Sequence, residues 1–226
     1  MKKTKIIATI GPASLDCEVF NNLIKEGVDY IRINTAYSNK EQHKTIFENL
    51  EKCSNKNVEI MFDVRSTDKL EKIADCNPTL IALSFTESAK EVKTVLKRFP
   101  NAKVVSKIES IKGIQNFEEI LNASYGIMVA RGDLGIAVSL EKVPCLQRNL
   151  SKKTLKANKF LIIATEMLLS MTKNKKPTRA EVSDVANAVF DGASAVMLSE
   201  ETAIGENPVE AVSFMRKIIE DAENCI

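Results

Sequence analysis

"GIMVARGDLG", residues 126–135, runs from a short apolar segment straight into arginine, glycine and aspartate. An apolar run of this length reads as a buried strand, so Arg131 and Asp133 stand where the chain leaves the core. The same junction recurs along the sequence. Strand-like runs are KIIATI (5–10), YIRIN (30–34), VEIMFDV (58–64), TLIALSF (79–85), KVVSKIE (103–109), GIMVA (126–130), FLIIAT (160–165) and AVMLS (195–199). Between them lie helix-period stretches such as EVFNNLIKEG (18–27), KEQHKTIFENLEKC (40–53), SAKEVKTVLKRF (88–99), IQNFEEILN (114–122), AEVSDVANAVFDG (180–192) and PVEAVSFMRKIIEDAE (208–223).

Strands this uniformly apolar belong to a parallel sheet covered by helices on its outer face. Eight strand–helix units in 226 residues, with no Gly/Ser linker, predict an α/β protein: a single-domain (β/α)8 TIM barrel. No G-x-G-x-x-G opens the first helix, which weighs against an open doubly wound sheet. Three helix starts look like caps followed by a glutamate: Ser38-x-x-Glu41, Thr178-x-x-Glu181 and Asn207-Pro208-x-Glu210.

Composition narrows the function. The 32 Lys+Arg and 30 Asp+Glu are interleaved, without the basic stripe of a nucleic-acid binder. No apolar run approaches the ~20 residues of a membrane span, and MKKTKIIATIGPAS is too short and strand-like for a signal peptide. Five widely spaced cysteines without a C-x-x-C read as reduced thiols of a cytoplasmic protein. The one histidine, His43, lies in a charged helical stretch and reads as a surface residue, which leaves no Ser-His triad. A metal here would be held by oxygen ligands, as Mg²⁺ or Mn²⁺ prefer.

In such barrels the active site gathers at the C-terminal strand ends. Those ends carry Thr9 and Gly11, Arg32 and Asn34, Asp63 and Arg65, Ser84, Lys107 and Glu109, Arg131 and Asp133, Thr165 and Glu166, and Ser199 with Glu200 and Glu201. Residues two apart in a strand point the same way, so Lys107 with Glu109, and Arg131 with Asp133, are expected to project together. Glu109 and Asp133 would hold a divalent cation while Lys107 faces a substrate. Structural ion pairs on a solvated rim are the alternative.

The strings TKIIATIGPAS (4–14), SKIESIKGIQNFEEI (106–120), GIMVARGDLGI (126–136), KPTRAEVSDVANAVFDGASAVMLSEETA (176–203) and NPVEAV (207–212) resemble the pyruvate kinase family, specifically its central barrel. The resemblance implies a glycolytic phosphotransferase acting on phosphoenolpyruvate and pyruvate through a metal-stabilised enolate, with ADP/ATP as partner substrate. By the same resemblance Glu109 and Asp133 match the Mg²⁺ or Mn²⁺ ligands, and Lys107 matches the lysine that stabilises the enolate. Thr165 and the amides of Gly132 and Asp133 match the groups around the substrate carboxylate. Arg32 matches the arginine that contacts the phosphoryl group, and Asn34 and Asp63 match ligands of the monovalent cation, K⁺. A homo-oligomer is left open.

The departures are specific. After the third strand Asp63-Val64-Arg65-Ser66 runs directly into TDKLEKI, so the family's lid domain is expected to be missing at about residues 65–67. The sequence stops at Ile226, where the family continues into a C-terminal regulatory domain. Ala36 and Val64 replace hydroxyl ligands of K⁺, and Tyr37 replaces a nucleotide-side histidine. Glu87, Glu166 and Glu200 replace arginine, glutamine and glycine. These changes point to weakened phosphoryl transfer to ADP. The alternatives are a lidless metal-dependent 2-oxo-acid lyase or decarboxylase, and a non-catalytic 2-oxo-acid-binding regulatory module.

Overall fold

The computed structural model describes residues 4–53 and 57–226. Eight strands close into one parallel barrel in the order of the chain: β1 (Lys5–Thr9), β2 (Tyr30–Asn34), β3 (Glu59–Val64), β4 (Leu80–Leu83), β5 (Lys103–Ile108), β6 (Gly126–Ala130), β7 (Phe160–Ala164) and β8 (Ala195–Leu198). Every strand read from the sequence is present. The helices are α1 (Cys17–Lys25), α2 (Lys40–Lys52), α3 (Ala89–Arg98), α4 (Ile111–Gln115), α5 (Phe117–Ala123), α6 (Arg131–Ala137), α7 (Val143–Lys156), α8 (Arg179–Phe190), α9 (Glu200–Ala203) and α10 (Pro208–Asn224). The third connection differs from the others: Thr67–Cys76 forms a 3-10 helix ended by Asn77 in the left-handed region, and it leads directly from β3 to β4.

Two apolar layers follow from the period of two along each strand. Outward-facing residues such as Ile6, Ile31, Phe62, Ile81, Val104, Ile127, Ile163 and Val196 pack under the helices. Inward-facing residues, among them Ile7, Tyr30, Met61, Ala82, Val105, Met128, Ile162 and Met197, fill the barrel interior. Two residues further along, the same inward face changes character. Ile7 gives way to Thr9, Tyr30 to Arg32, Met61 to Asp63, Ala82 to Ser84 and Val105 to Lys107. Along β6 and β7 it stays small, with Ala130 and Ala164. The upper layer is therefore polar on the β1–β5 side and leaves space on the other.

The caps partly match expectation. Thr178 and Glu181 form a capping box at α8, and Glu181 also accepts from the Ser170 amide and hydroxyl. At α2 the cap is Asn39 with Gln42, one residue beyond the Ser38–Glu41 pair. Ser38 instead bonds His43 Nε2 at 2.7 Å. His43 is only 6% exposed and meets the Phe62 ring edge-on, so the surface reading of this residue is corrected. The charged neighbours in sequence lie on the other faces of α2. Burial, with Lys72 nearby, holds the His43 pKa below the usual 6.5. Asn207 stands at the α10 N-terminus ahead of Pro208 but spends its side chain on the Lys173 carbonyl. None of the five cysteines is in a disulfide.

Candidate active site

The polar layer is a tightly bonded cluster with Asp63 at its centre. Arg32 Nε and Nη2 donate to Asp63 Oδ2 at 2.9 and 2.8 Å, and Nη1 donates to Thr9 Oγ1 at 2.9 Å. Lys107 Nζ lies 3.1 Å from Asp63 Oδ2, 3.1 Å from Glu109 Oε1 and 2.8 Å from Ser84 Oγ. Ser84 Oγ in turn donates to Asp63 Oδ1 at 3.0 Å. Glu109 Oε2 accepts from the Phe85 amide at 2.7 Å. Lys107 and Glu109 do project together, as the strand period requires, and both are buried.

Burial alone would raise the Asp63 pKa, but the charges of Lys107 and Arg32 outweigh it and hold the carboxyl at about 2. Burial likewise works against the Lys107 charge, and Asp63 and Glu109 together overcome it, so its pKa rises. Burial pushes Glu109 up, against the pull of Lys107 and the Phe85 amide. Lys107 shares its charge with Asp63, which leaves Glu109 the less compensated partner of the pair.

Above the cluster opens a cleft of about 310 Å³. Arg32, Asn34, Lys107, Glu109, Asp133 and Thr165 all line it, together with Arg65, Ser84, Phe85 and Glu200. Asp63 lies beneath this cleft, and Gly132 packs beside Thr165. Asn34 Oδ1 accepts from the Ala36 amide at 3.2 Å. A neighbouring cavity of about 370 Å³ shares Arg32, Asn34, Tyr37 and Glu200 and continues over Thr9, Gly11 and Gln42.

Arg131 and Asp133 do not project together. The strand ends at Ala130 and Arg131 is already the first residue of α6, so two residues are a half-turn apart rather than a pleat repeat. Asp133 faces the cleft, whereas Arg131 turns to the Thr165 carbonyl and to Asp184 in α8. Of the three substituted glutamates only Glu200 lines the cleft. Glu87 is drawn into bonds with Ser110 (2.8 Å) and Lys112 (3.2 Å), and Glu166 is exposed on the β7–α8 turn. Glu201, fully buried, accepts from the Leu168 and Ser199 amides and ties the β7 and β8 turns together; burial raises its pKa. Sequence reading placed it on the rim and had no means of seeing that role.

The donor set suits a hard divalent cation. Among the described residues no three His, Cys, Asp or Glu come together as a metal cage. Two cleft carboxylates, Glu109 and Asp133, match the sparse protein ligation of Mg²⁺, which completes its shell from water and substrate oxygens. Each Glu109 oxygen has one partner and retains a second lone pair. Asp63 is different: its oxygens already receive Arg32, Lys107 and Ser84.

A closed eight-strand parallel barrel with a lysine–carboxylate cluster at the C-terminal strand ends has the (β/α)8 architecture, in which enzymes of this fold build their chemistry on that rim. The family model described as "Pyruvate kinase, barrel domain" matches residues 1–77 and 65–212, and the chain belongs to this family. It is 52% identical over 149 residues to a pyruvate kinase of Chlamydia trachomatis, covering 64% of this chain and 31% of that protein. Identity to the pyruvate kinase of Thermococcus litoralis is 52% over 147 residues, 63% of this chain and 31% of the relative. For that of Clostridium perfringens it is 44% over 167 residues, 71% and 35%. The chain spans about a third of the length of the curated relatives it matches.

Proposed function

We propose that this barrel enolises pyruvate, the half of pyruvate kinase chemistry that precedes or follows phosphoryl transfer, and that it passes phosphate to ADP only weakly. The observation that carries the reading is Lys107, held as a buried cation between Asp63 and Glu109 at 3.1 Å from each, under a cleft also lined by Asp133 and Thr165. A bound Mg²⁺ or Mn²⁺ would be held by Glu109 and Asp133 and would polarise the substrate oxygens. Lys107 supplies a fixed positive charge where the enolate oxygen develops, oriented in advance by its two carboxylates. Gly132, Asp133 and Thr165 bind the substrate carboxylate. Arg32 meets the phosphoryl group at the junction of the two cavities.

Weak phosphoryl transfer is supported by the neighbouring cavity, where Arg32 is the one cation among the described lining residues and is already bonded to Asp63 and Thr9. Phosphoryl transfer depends on charge neutralisation and exclusion of water. Glu200 adds a like charge, and the direct β3–β4 connection carries no lid domain. K⁺ has little to hold it, because Asp63 is committed to Arg32 and Lys107. Two assays test the proposal: metal-dependent exchange of the pyruvate methyl protons with solvent, and ADP-dependent pyruvate formation from phosphoenolpyruvate with and without K⁺. Exchange without brisk kinase turnover is expected. Fast, K⁺-stimulated kinase activity would overturn it, and no exchange in wild type would favour a binding module.

A further inference from the structure

We propose that Arg131 is a positioning residue: it locks the turn after β7 in a left-handed conformation and so presents Thr165 to the cleft. The role given to Thr165 as a substrate contact rests on the proposed function; the hold on its backbone does not.

Thr165 and Glu166 are consecutive non-glycine residues with φ of 76° and 55°. A β-branched residue in that region is a steric outlier, and it persists only where its surroundings over-determine it. Arg131 supplies that constraint. Its Nε donates to the Ala164 carbonyl at 3.3 Å and the Thr165 carbonyl at 3.2 Å. Its Nη2 donates to the Thr165 carbonyl at 2.6 Å and the Glu166 carbonyl at 3.4 Å, and lies 3.0 Å from Met167 Sδ. Three successive carbonyls converge on one guanidinium because two left-handed residues turn them to the same side. A planar, many-pronged donor fits this arrangement, and a lysine ammonium does not.

The guanidinium is itself fixed from behind by Asp184 of α8, at 2.7 Å from Nη1. From the cleft side Gly132 completes the hold. A Cβ there would stand 2.9 Å from Thr165 Cγ2, so only glycine lets the threonine lie against the first turn of α6. Local preference does not account for the arginine, since a cation at the first position of a helix opposes the helix dipole. Arg131 thus joins β6, β7 and α8 around a single backbone unit. Thr165 is the polar side chain that the end of β7 offers to the cleft, beside Ala130 and Met197.

The test compares wild type with Arg131→Lys, Arg131→Ala and Asp184→Asn, measuring thermal midpoint, Mn²⁺ affinity, oxalate affinity with Mn²⁺ present, and Thr165 backbone chemical shifts. Arg131→Lys should stay folded and bind Mn²⁺ within threefold of wild type, while oxalate affinity falls at least tenfold and Thr165 shifts leave their left-handed values. Guanidinium ion should recover part of the oxalate affinity of Arg131→Ala, and methylammonium should not. Asp184→Asn should be intermediate. Thr165 shifts that keep left-handed values in Arg131→Lys would overturn the proposal. So would oxalate affinity that is unchanged while those shifts move. Wild type that binds no oxalate would remove the substrate role of Thr165, and the chemical shifts would still decide the hold.

Discussion

Asp63→Asn tests the cluster at its centre. The side chain neutralises Arg32 and Lys107, whose side chains are each 8% exposed; the substitution leaves Lys107 with Glu109 and removes the ion pair of Arg32. Removing one partner of a buried pair costs about 3–5 kcal/mol, because the remaining charge keeps its desolvation penalty. The pH dependence gives a second, independent measure. The folded carboxyl titrates at about 2 against an ordinary 3.8. A depressed acid stabilises the fold above its unfolded value and loses that contribution as pH falls through the folded one. The gap is worth about 2.5 kcal/mol in full, and roughly 1 kcal/mol of it should be gone by pH 3. Urea unfolding of both proteins at pH 6.5 and pH 3 reads the difference directly. The variant should be less stable at pH 6.5 by several kcal/mol, with the gap narrowing by about 1 kcal/mol at pH 3. A gap that is small, or that does not change with pH, would refute Asp63 as the shared counter-ion.

Gly132→Ala should lower oxalate affinity in the presence of Mn²⁺ by tenfold or more, since the new methyl displaces Thr165; calorimetric titration checks it. Glu181→Ala removes the acceptor for the Ser170 and Thr178 amides and should cost about 1–2 kcal/mol in urea unfolding, with proton exchange of pyruvate unchanged. His43 should titrate below 6.5 by NMR; as its folded value lies under its unfolded one, it favours the fold above 6.5 and ceases to as pH falls. Its neutral state also predicts that Ser38→Ala, which removes its hydroxyl partner, shifts this titration.

The barrel was legible because its strands are buried on both faces and so read as apolar runs broken abruptly by polar ends. The wall formed by Lys107 and Glu109 was legible too, because both belong to one strand and its period of two carries to the rim. The same period failed at Arg131 and Asp133, where the chain had already turned into α6. No residue type announced that change: glycine and aspartate suit a turn and a helix start alike. His43 was misread because its burial comes from Phe62 in β3, which no pattern within α2 records. The left-handed turn at Thr165 was invisible for a similar reason. Threonine avoids that conformation, and the arginine that enforces it lies a whole strand–helix unit earlier.

The role of Asp63 is the clearest case of a partner chosen by the fold. Arg32, Asp63 and Lys107 come from β2, β3 and β5 and meet only because the barrel curls their inward faces together. Two buried cations in this layer demand two carboxylates, and Asp63 and Glu109 provide them. A lysine balanced in this way needs no water shell to stay charged, which keeps it fixed where an enolate would form. The same balance limits what else Asp63 can do. Its two oxygens receive five donor contacts, two each from Arg32 and Lys107 and one from Ser84, so ligation of K⁺ would have to take one away. Ala36 and Val64 offer no side-chain oxygen in compensation. On the proposed chemistry, holding Lys107 in place and weak K⁺ dependence are therefore two consequences of one carboxylate.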